Sequence, residues 1–322
     1  MKAAILSSSG LTVSEVPKPE INPNEILVRV RAAALNRADL LMINGRMNGR
    51  QVGNSTVIGL EWAGEVVETG SAINEYKLGD RVMCSGAGGY AEYAKTDWGR
   101  VAPIPAGDMS FAEAATFPIA LTTMHDALVS NGRLKPGESV LIQGASSGVG
   151  LMGLQIAKHL GAALVIGTTR DANKRARLKK FGADFALDPN DPDWPEQAAK
   201  AAGGGVDLIV DQISAGVGIG NMQAAAVKGR IVNVGRLGGF NGEFDYDLHA
   251  LKRIQYIGVT FRTRSIDEVR KINREMRAEL WPAVQSGKLG LPIDRTFPLD
   301  EAAAALNHMR ANTHFGKIVL EV

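Results

Sequence analysis

The run VLIQGASSGVG, residues 140–150, constrains this chain more than any other stretch. A short apolar segment of strand type stops at a loop of small residues, and residues 149–160 then carry helical periodicity up to Gly161. A strand, a tight turn and a helix N-terminus together make a cradle for a dinucleotide pyrophosphate. Small residues let the backbone approach the anion, and the helix end favours negative charge. The three positions of the usual G-x-G-x-x-G fall on Ala145, Ser147 and Gly150, with Gly148 between. Ala and Ser cost little where φ stays negative, a Ser hydroxyl can donate to phosphate, and Gly150 keeps the close helix–strand contact. The expected pyrophosphate loop is therefore Ser146, Ser147, Gly148, Val149 and Gly150. A Gly-rich turn alone would be weak evidence, and its strand-helix setting makes cofactor binding the better reading.

That setting extends well beyond the loop. SVLIQG, ALVIGTT, DFAL, VDLIVD, GRIVNVG and QYIGVTF are six strand-like runs separated by helical stretches, between residues 118 and 262. They indicate a doubly wound parallel sheet. In DANKRARLKKF, Asp171 is placed to cap a helix and Gly182 to end it. Residues 1–117 have another texture. EILVRVRAAAL, EWAGEVVETG, DRVMCSG and YAEYAKT are β-like runs punctuated by Gly, Pro and Asn, as in a mostly antiparallel β unit. The closing HFGKIVLEV reads as a strand that rejoins this first region. The β unit is thus expected at 1–117 and 263–322, with the nucleotide fold at 118–262 inserted into it.

About 20 residues past the loop, an NAD site places an acid against the ribose hydroxyls. This chain has TTRDANKR there, with Asp171 better used as a cap. Thr169, Arg170 and Lys174 suit a 2′-phosphate, so the expected cofactor is NADPH. Arg175 reads equally well as a solvated helix face.

Bulk properties set the outer limits. With 322 residues and 45% apolar composition, the chain can bury a sizeable core. Lys plus Arg number 36 against 34 Asp plus Glu, so charge gives no argument for nucleic acid or an anionic membrane. Cys84 is the sole cysteine, which excludes an intramolecular disulfide and a multi-cysteine zinc site, and fits a reducing, cytoplasmic location. The opening MKAAILSSSG has too short an apolar run for a signal peptide, and no stretch reaches the roughly 18 apolar residues of a membrane span.

The motifs ALNRADLL, VIGLEWAGEVVETG, LGDRV, GGYAEYA, AATFPIALTTMHDAL, VLIQGASSGVG, GTTRDANKR, RIVNVG, TFRTRS and HFGKIVL occur in the order seen in the medium-chain dehydrogenase/reductase superfamily. Within it, the chain resembles the zinc-free quinone oxidoreductases, the zeta-crystallin-like proteins. The resemblance spans nearly the whole chain. It implies an α/β fold: a GroES-like, mostly antiparallel β catalytic domain plus a Rossmann domain with a six-stranded, doubly wound parallel sheet. A cleft between the two would hold nicotinamide and substrate.

The implied activity is NADPH-dependent reduction of quinones or α,β-unsaturated carbonyls by direct hydride transfer. Where zinc-dependent relatives carry metal ligands, this chain has Asn36, Leu60-Glu61 and an apolar stretch near Ile119, so no metal is expected. Asn36 is expected to hydrogen-bond the nicotinamide ribose, the substrate oxygen or a water. Asn36, Asp39 and Thr122 form the catalytic set that the resemblance implies, although Asp39 and Glu61 read better as a polar network with Lys317 than as acid–base groups; Lys317 is also assigned to the cofactor-binding set. Thr122, Val234, Gly235, Phe261 and Arg262 are placed by the resemblance around the nicotinamide half. His125 reads as a core or interface histidine and Cys84 as an apolar filler.

Two departures bear on substrate and cofactor. Leu41, Met42 and Met47 stand where relatives carry tyrosines, implying an apolar, adaptable pocket. Asp188 stands near a tyrosine position of the adenine pocket, an awkward neighbour for a 2′-phosphate. Alternative readings are an enoyl-thioester reductase of the same superfamily and a non-catalytic NADPH- or RNA-binding crystallin-like protein. The sequence has no basic patch with interleaved aromatics, so no nucleic-acid partner is expected. The last strand of the parallel sheet would leave an apolar edge, and relatives cover that edge with a second copy of themselves, so a homodimer is expected.

Overall fold

A computed structural model describes residues 1–7, 10–43, 49–52 and 55–322. Met47 of the expected apolar pocket lies outside the described residues. The chain divides into two compact units, Met1–Ile119 with Val269–Arg274 and Gly290–Val322, and Ala120–Glu268 with Glu275–Leu289. The second unit thus takes in residues 263–268 and 275–289, which sequence alone assigns to the β unit. The reason is the 20-residue helix Ile266–Gln285, which contributes residues to both units.

In the first unit, among the described residues, a seven-stranded sheet runs in the order Ile293–Pro298, Lys317–Glu321, Glu25–Ala34, Glu61–Thr69, Arg81–Ser85 and Val101–Pro103, with Tyr93–Asp97 also on Glu25–Ala34. The closing strand does rejoin the N-terminal region, because Val319 pairs antiparallel with Ala34 and Leu320 with Ala33. Among the described residues, a four-stranded sheet contains Lys2–Ser7 and Gly10–Glu15. Apolar runs such as Ile26, Leu27 and Val28 are buried because the sheet is covered on both faces. Trp62 and Tyr90, both at 0% exposure, fill the centre of this core. Burying a side chain of that size contributes roughly 1.5–3 kcal/mol. Gly59 is required beneath Tyr90: its φ is +102°, and a Cβ would lie 2.4 Å from the ring.

The second unit is built on six parallel strands in the order Phe185–Leu187, Leu164–Thr168, Ser139–Ile142, Val206–Asp211, Ala225–Asn233 and Gln255–Gly258. All six expected runs form strands. The crossovers include Gly148–His159 and Ala172–Leu178. Asp171 caps the latter by accepting from the Lys174 N–H at 3.0 Å, and Gly182 takes φ +98° beyond it. The last strand is shorter than QYIGVTF suggests, since residues 259–265 leave the sheet as a loop. The helix Pro118–His125 continues as a π-helical segment, Asp126–Asn131.

Candidate active site

The first unit holds a buried polar network. Arg37–Ile43 is a short helix whose first turn is fastened by Asp39, and Glu61 begins the strand Glu61–Thr69. Glu61 Oε1 accepts from the Asn36 amide at 2.9 Å and from the Lys317 ammonium, while Oε2 accepts from the Ile119 N–H at 2.8 Å. Lys317 also donates to Leu35 O at 3.0 Å and to Asn36 Oδ1 at 3.1 Å. An ammonium has three protons, and three acceptors take them. Lys317, expected among the cofactor ligands, therefore has no N–H left for one. Asn36 is similarly committed, with its oxygen on Lys317 and its amide nitrogen on Glu61, and it orients the network from within.

Asp39 joins through different contacts. Its Oδ2 accepts from the Asn36 N–H at 2.7 Å and the Tyr90 hydroxyl at 2.6 Å, while its buried Oδ1 has no hydrogen-bond partner among the described residues. Burial pushes the Asp39 carboxyl up to about 7, with the hydrogen bonds from Tyr90 and Asn36 working in the opposite direction. Burial also raises the Tyr90 hydroxyl well above its ordinary value, and the neighbouring Asp39 adds to this. Met42 is part of the apolar core rather than a pocket wall, and Leu41 is half-buried. Cys84 is fully buried and burial raises its thiol, as expected of an apolar filler.

In the second unit, candidate residues gather at the carboxyl ends of the parallel strands, where open α/β sheets bind ligands. The left-handed turn falls on Gly144, with φ +67°, just ahead of the motif positions. This is why Ala145 and Ser147 are tolerated. Ser147, with φ −74°, caps the helix Gly148–His159: its hydroxyl accepts from the Gly150 N–H at 3.0 Å and donates to Gly144 O at 3.0 Å. The expected donation from Ser147 to phosphate is thus replaced by closure of the loop. The N–H groups of Gly148 and Val149 lie in the first helical turn, where no intrahelical acceptor exists. A Cβ on Gly150 would lie 2.7 Å from both Ala145 Cα and Gly144 O, so the third fingerprint position has no room for a side chain. This small-residue turn with a capped helix fits a dinucleotide.

Ser146 and Thr169 meet across the loop, with their hydroxyls 2.9 Å apart. Arg170 is exposed and Lys174 half-buried beside this tip. Arg175 is more than a solvated face. It donates to Thr169 O at 2.8 Å, Arg170 O at 2.7 Å and Asp188 Oδ2 at 2.9 Å. Asp188 is therefore paired with a guanidinium instead of standing as a bare acid near the tip. Val234 and Gly235 both donate to Asp211 O, at 2.8 and 3.1 Å, and Gly235 O accepts from Ser214 at 2.6 Å. Phe261 and Arg262 lie on the loop after the last strand, and Thr122 lies buried on the helix Pro118–His125. His125 is buried as expected, with Nε2 2.8 Å from Glu279.

Several organising residues escaped sequence reasoning. A chain of side chains runs from Thr168 to Gln143 at 2.6 Å, to Asn221 at 2.7 Å and to Asp211 at 3.0 Å, tying three strand ends together. Buried amides at a strand's end, such as Gln143 directly after SVLI, are the available signal. Tyr90 and the pair Asp126–Arg264 have no local signal of this kind.

Residues 148–278 match the zinc-binding dehydrogenase family, and residues 22–106 match the alcohol dehydrogenase GroES-like domain. The chain belongs to the medium-chain dehydrogenase/reductase superfamily. The two matched regions are those of that superfamily's GroES-like and dehydrogenase domains. It is 29% identical to a quinone oxidoreductase-like protein 2 of Bos taurus, over 97% of this chain and 89% of that one. It is 31% identical to a phenolphthiocerol/phthiocerol polyketide synthase protein of Mycobacterium tuberculosis over 97% of this chain, but spans only 14% of that protein's length. A mycobacterial protein solved in complex with NADPH has a TM-score of 0.89 at 26% identity, covering 100% of both chains. Among the described residues, no helix is long and apolar enough to cross a membrane.

Proposed function

We propose that this protein reduces quinones or α,β-unsaturated carbonyl compounds with NADPH, by direct hydride transfer and without a metal. One observation carries this reading: the Glu61 carboxylate is filled by the Lys317 ammonium, the Asn36 amide and the Ile119 N–H. The superfamily's zinc does not fit such a donor set. An ammonium already sits on the one carboxylate, Leu60 supplies no ligand, and the Asn36 oxygen is bound to the same ammonium. Without a Lewis acid, simple alcohols and ketones are poor substrates, whereas a conjugated acceptor spreads the charge it gains.

A reduced nicotinamide, when bound, supplies a hydride. This chain's own residues supply position and charge. The N–H groups of Gly148 and Val149 face a pyrophosphate at the helix end, where the macrodipole favours an anion. Thr169 and Arg170 receive the 2′-phosphate, with Lys174 beside them, and the Arg175–Asp188 pair removes the repulsion that Asp188 alone would exert. Val234, Gly235, Phe261, Arg262 and Thr122 border the nicotinamide half. Asn36, Asp39 and Lys317 are held in a buried network within the first unit, and protonation of the product falls to water.

The partner is a second copy of the chain. The edge strand Gln255–Gly258 carries Tyr256 at 40% exposure, and Tyr246 nearby is 80% exposed. Their rings pack on Phe244, at 4.9 Å for Tyr246 and 5.9 Å for Tyr256. An apolar edge of this kind is normally covered. The compartment consistent with this reading is the cytoplasm.

A second reading, reduction of an α,β-unsaturated thioester, is favoured by the 31% identity to a polyketide synthase segment. Steady-state assays with quinones, enones and enoyl-thioesters, each with NADPH and NADH, separate the two. Preference for enoyl-thioesters would install the second reading, and tighter use of NADH would end the NADPH assignment. One zinc per chain in the active protein would overturn the metal-free mechanism.

A further inference from the structure

We infer that the ion pair Asp126–Arg264 is a positioning device that locks the loop after the last parallel strand to the helix carrying Thr122. The inference rests on the dinucleotide reading above. Loop 259–265 joins the strand Gln255–Gly258 to the helix Ile266–Gln285, whose start is fixed by a Ser265–Glu268 capping box. Between these ends the loop has few ties of its own. Val259 N–H donates to Asn233 O at 3.1 Å and Arg262 N–H to Thr260 Oγ1 at 3.2 Å.

Arg264 supplies the rest. Its Nε donates to Thr260 O at 3.1 Å, its guanidinium lies 5.2 Å from the Phe261 ring centroid, and its Nη2 donates to Asp126 Oδ2 at 2.8 Å. One planar fork therefore holds the loop backbone, the loop aromatic and a carboxylate from elsewhere in the chain. That carboxylate is a firm anchor. Asp126 is 1% exposed, its Oδ1 has no hydrogen-bond partner among the described residues, and its backbone O accepts from Asn131 at 2.9 Å.

The anchor also has a direction. Asp126 opens the π-helical segment and lies four residues after Thr122, so the two side chains project from one face a turn apart. Neighbouring His125 is occupied separately by Glu279 at 2.8 Å. Arg264 thus sets Phe261 and Arg262 relative to the Thr122 face. Both are elements that the functional reading puts around the nicotinamide.

The test compares wild type with Arg264→Lys, which keeps a cation beside buried Asp126 but loses the fork. Asp126→Asn is a second variant, and thermal unfolding checks that both are folded. Amide hydrogen exchange of residues 259–265 is measured without nucleotide. Affinity is then measured for NADPH and for adenosine 2′,5′-bisphosphate, which carries only the adenine half. The expected result is faster exchange confined to the loop, NADPH affinity and kcat reduced by roughly ten- to a hundredfold, and unchanged affinity for the bisphosphate. Unchanged exchange in both variants, or equal weakening of NADPH and bisphosphate, would overturn the inference. Wild type that binds neither nucleotide would instead remove the dinucleotide reading, while the exchange result still reports on the staple.

Discussion

Replacing Lys317 with methionine gives the most direct check on the buried network. The change keeps an unbranched side chain, one atom shorter, and removes three hydrogen bonds, to Leu35 O, Asn36 Oδ1 and Glu61 Oε1. Glu61, at 0% exposure, is left with the Asn36 amide and the Ile119 N–H against a full negative charge. Removing one partner of a buried pair costs about 3–5 kcal/mol, because the survivor stays desolvated and unneutralised. Against a total stability of about 5–15 kcal/mol, that is a large fraction. Glu61→Gln alone leaves the ammonium as the orphan and should also destabilise. The double variant removes both charges, so it should recover about 2–3 kcal/mol relative to the sum of the singles. Urea unfolding followed by circular dichroism measures all four proteins. A loss below about 1 kcal/mol for Lys317→Met, or strict additivity in the double variant, would refute the claim that this ion pair organises the unit.

Other consequences can be measured separately. Asp39, raised to about 7 from an ordinary 3.8, keeps its proton in the folded state over a range where the unfolded chain has lost it. Its contribution is present below about pH 4 and lost as pH rises through about 7, a decline of roughly 4 kcal/mol that Asp39→Asn should flatten in unfolding curves taken across that window. Gly150→Ala places a Cβ 2.7 Å from the backbone of Gly144 and Ala145, so the loop must shift, and NADPH affinity by fluorescence titration should fall by roughly a hundredfold. Tyr256→Glu puts charge on the exposed sheet edge, so if the proposed dimer forms there, sedimentation should show a dimeric wild type and a monomeric variant.

What could be read from the sequence is what short-range chemistry determines. The six parallel strands follow from brief apolar runs, and the cap at Asp171 and the stop at Gly182 lie within one helix length. The returning strand HFGKIVLEV was visible for the same reason. The end of the last strand was not, because residues 259–261 are as apolar as those in the sheet and only the tertiary course of the loop turns them out. Side-chain partnerships were least accessible. Tyr90 meets Asp39 across 51 residues, Arg264 meets Asp126 across 138 and Lys317 meets Glu61 across 256. No periodicity encodes such distances. Ser147 shows the converse limit: a residue of the right type at the right position uses its hydroxyl to close its own loop.

A common device links three of these partnerships. Lys317, Arg175 and Arg264 each neutralise one carboxylate, of Glu61, Asp188 and Asp126, and each also donates to loop carbonyls, of Leu35, of Thr169 and Arg170, and of Thr260. A cation shared between an acid and a carbonyl fixes a loop that has few regular hydrogen bonds, and it does so without adding net charge. At a strand tip this neutrality has consequences for binding. A bare Asp188 would repel a phosphate and an unpaired Arg175 could draw one to the wrong place, whereas the pair leaves the helix N-terminus and exposed Arg170 as the local attraction for an anion. Loop shape and loop electrostatics are thereby set by different residues, so under the proposed NADPH reading a change at Arg170 should alter cofactor preference without unmaking the loop, and a change at Arg175 should unmake it.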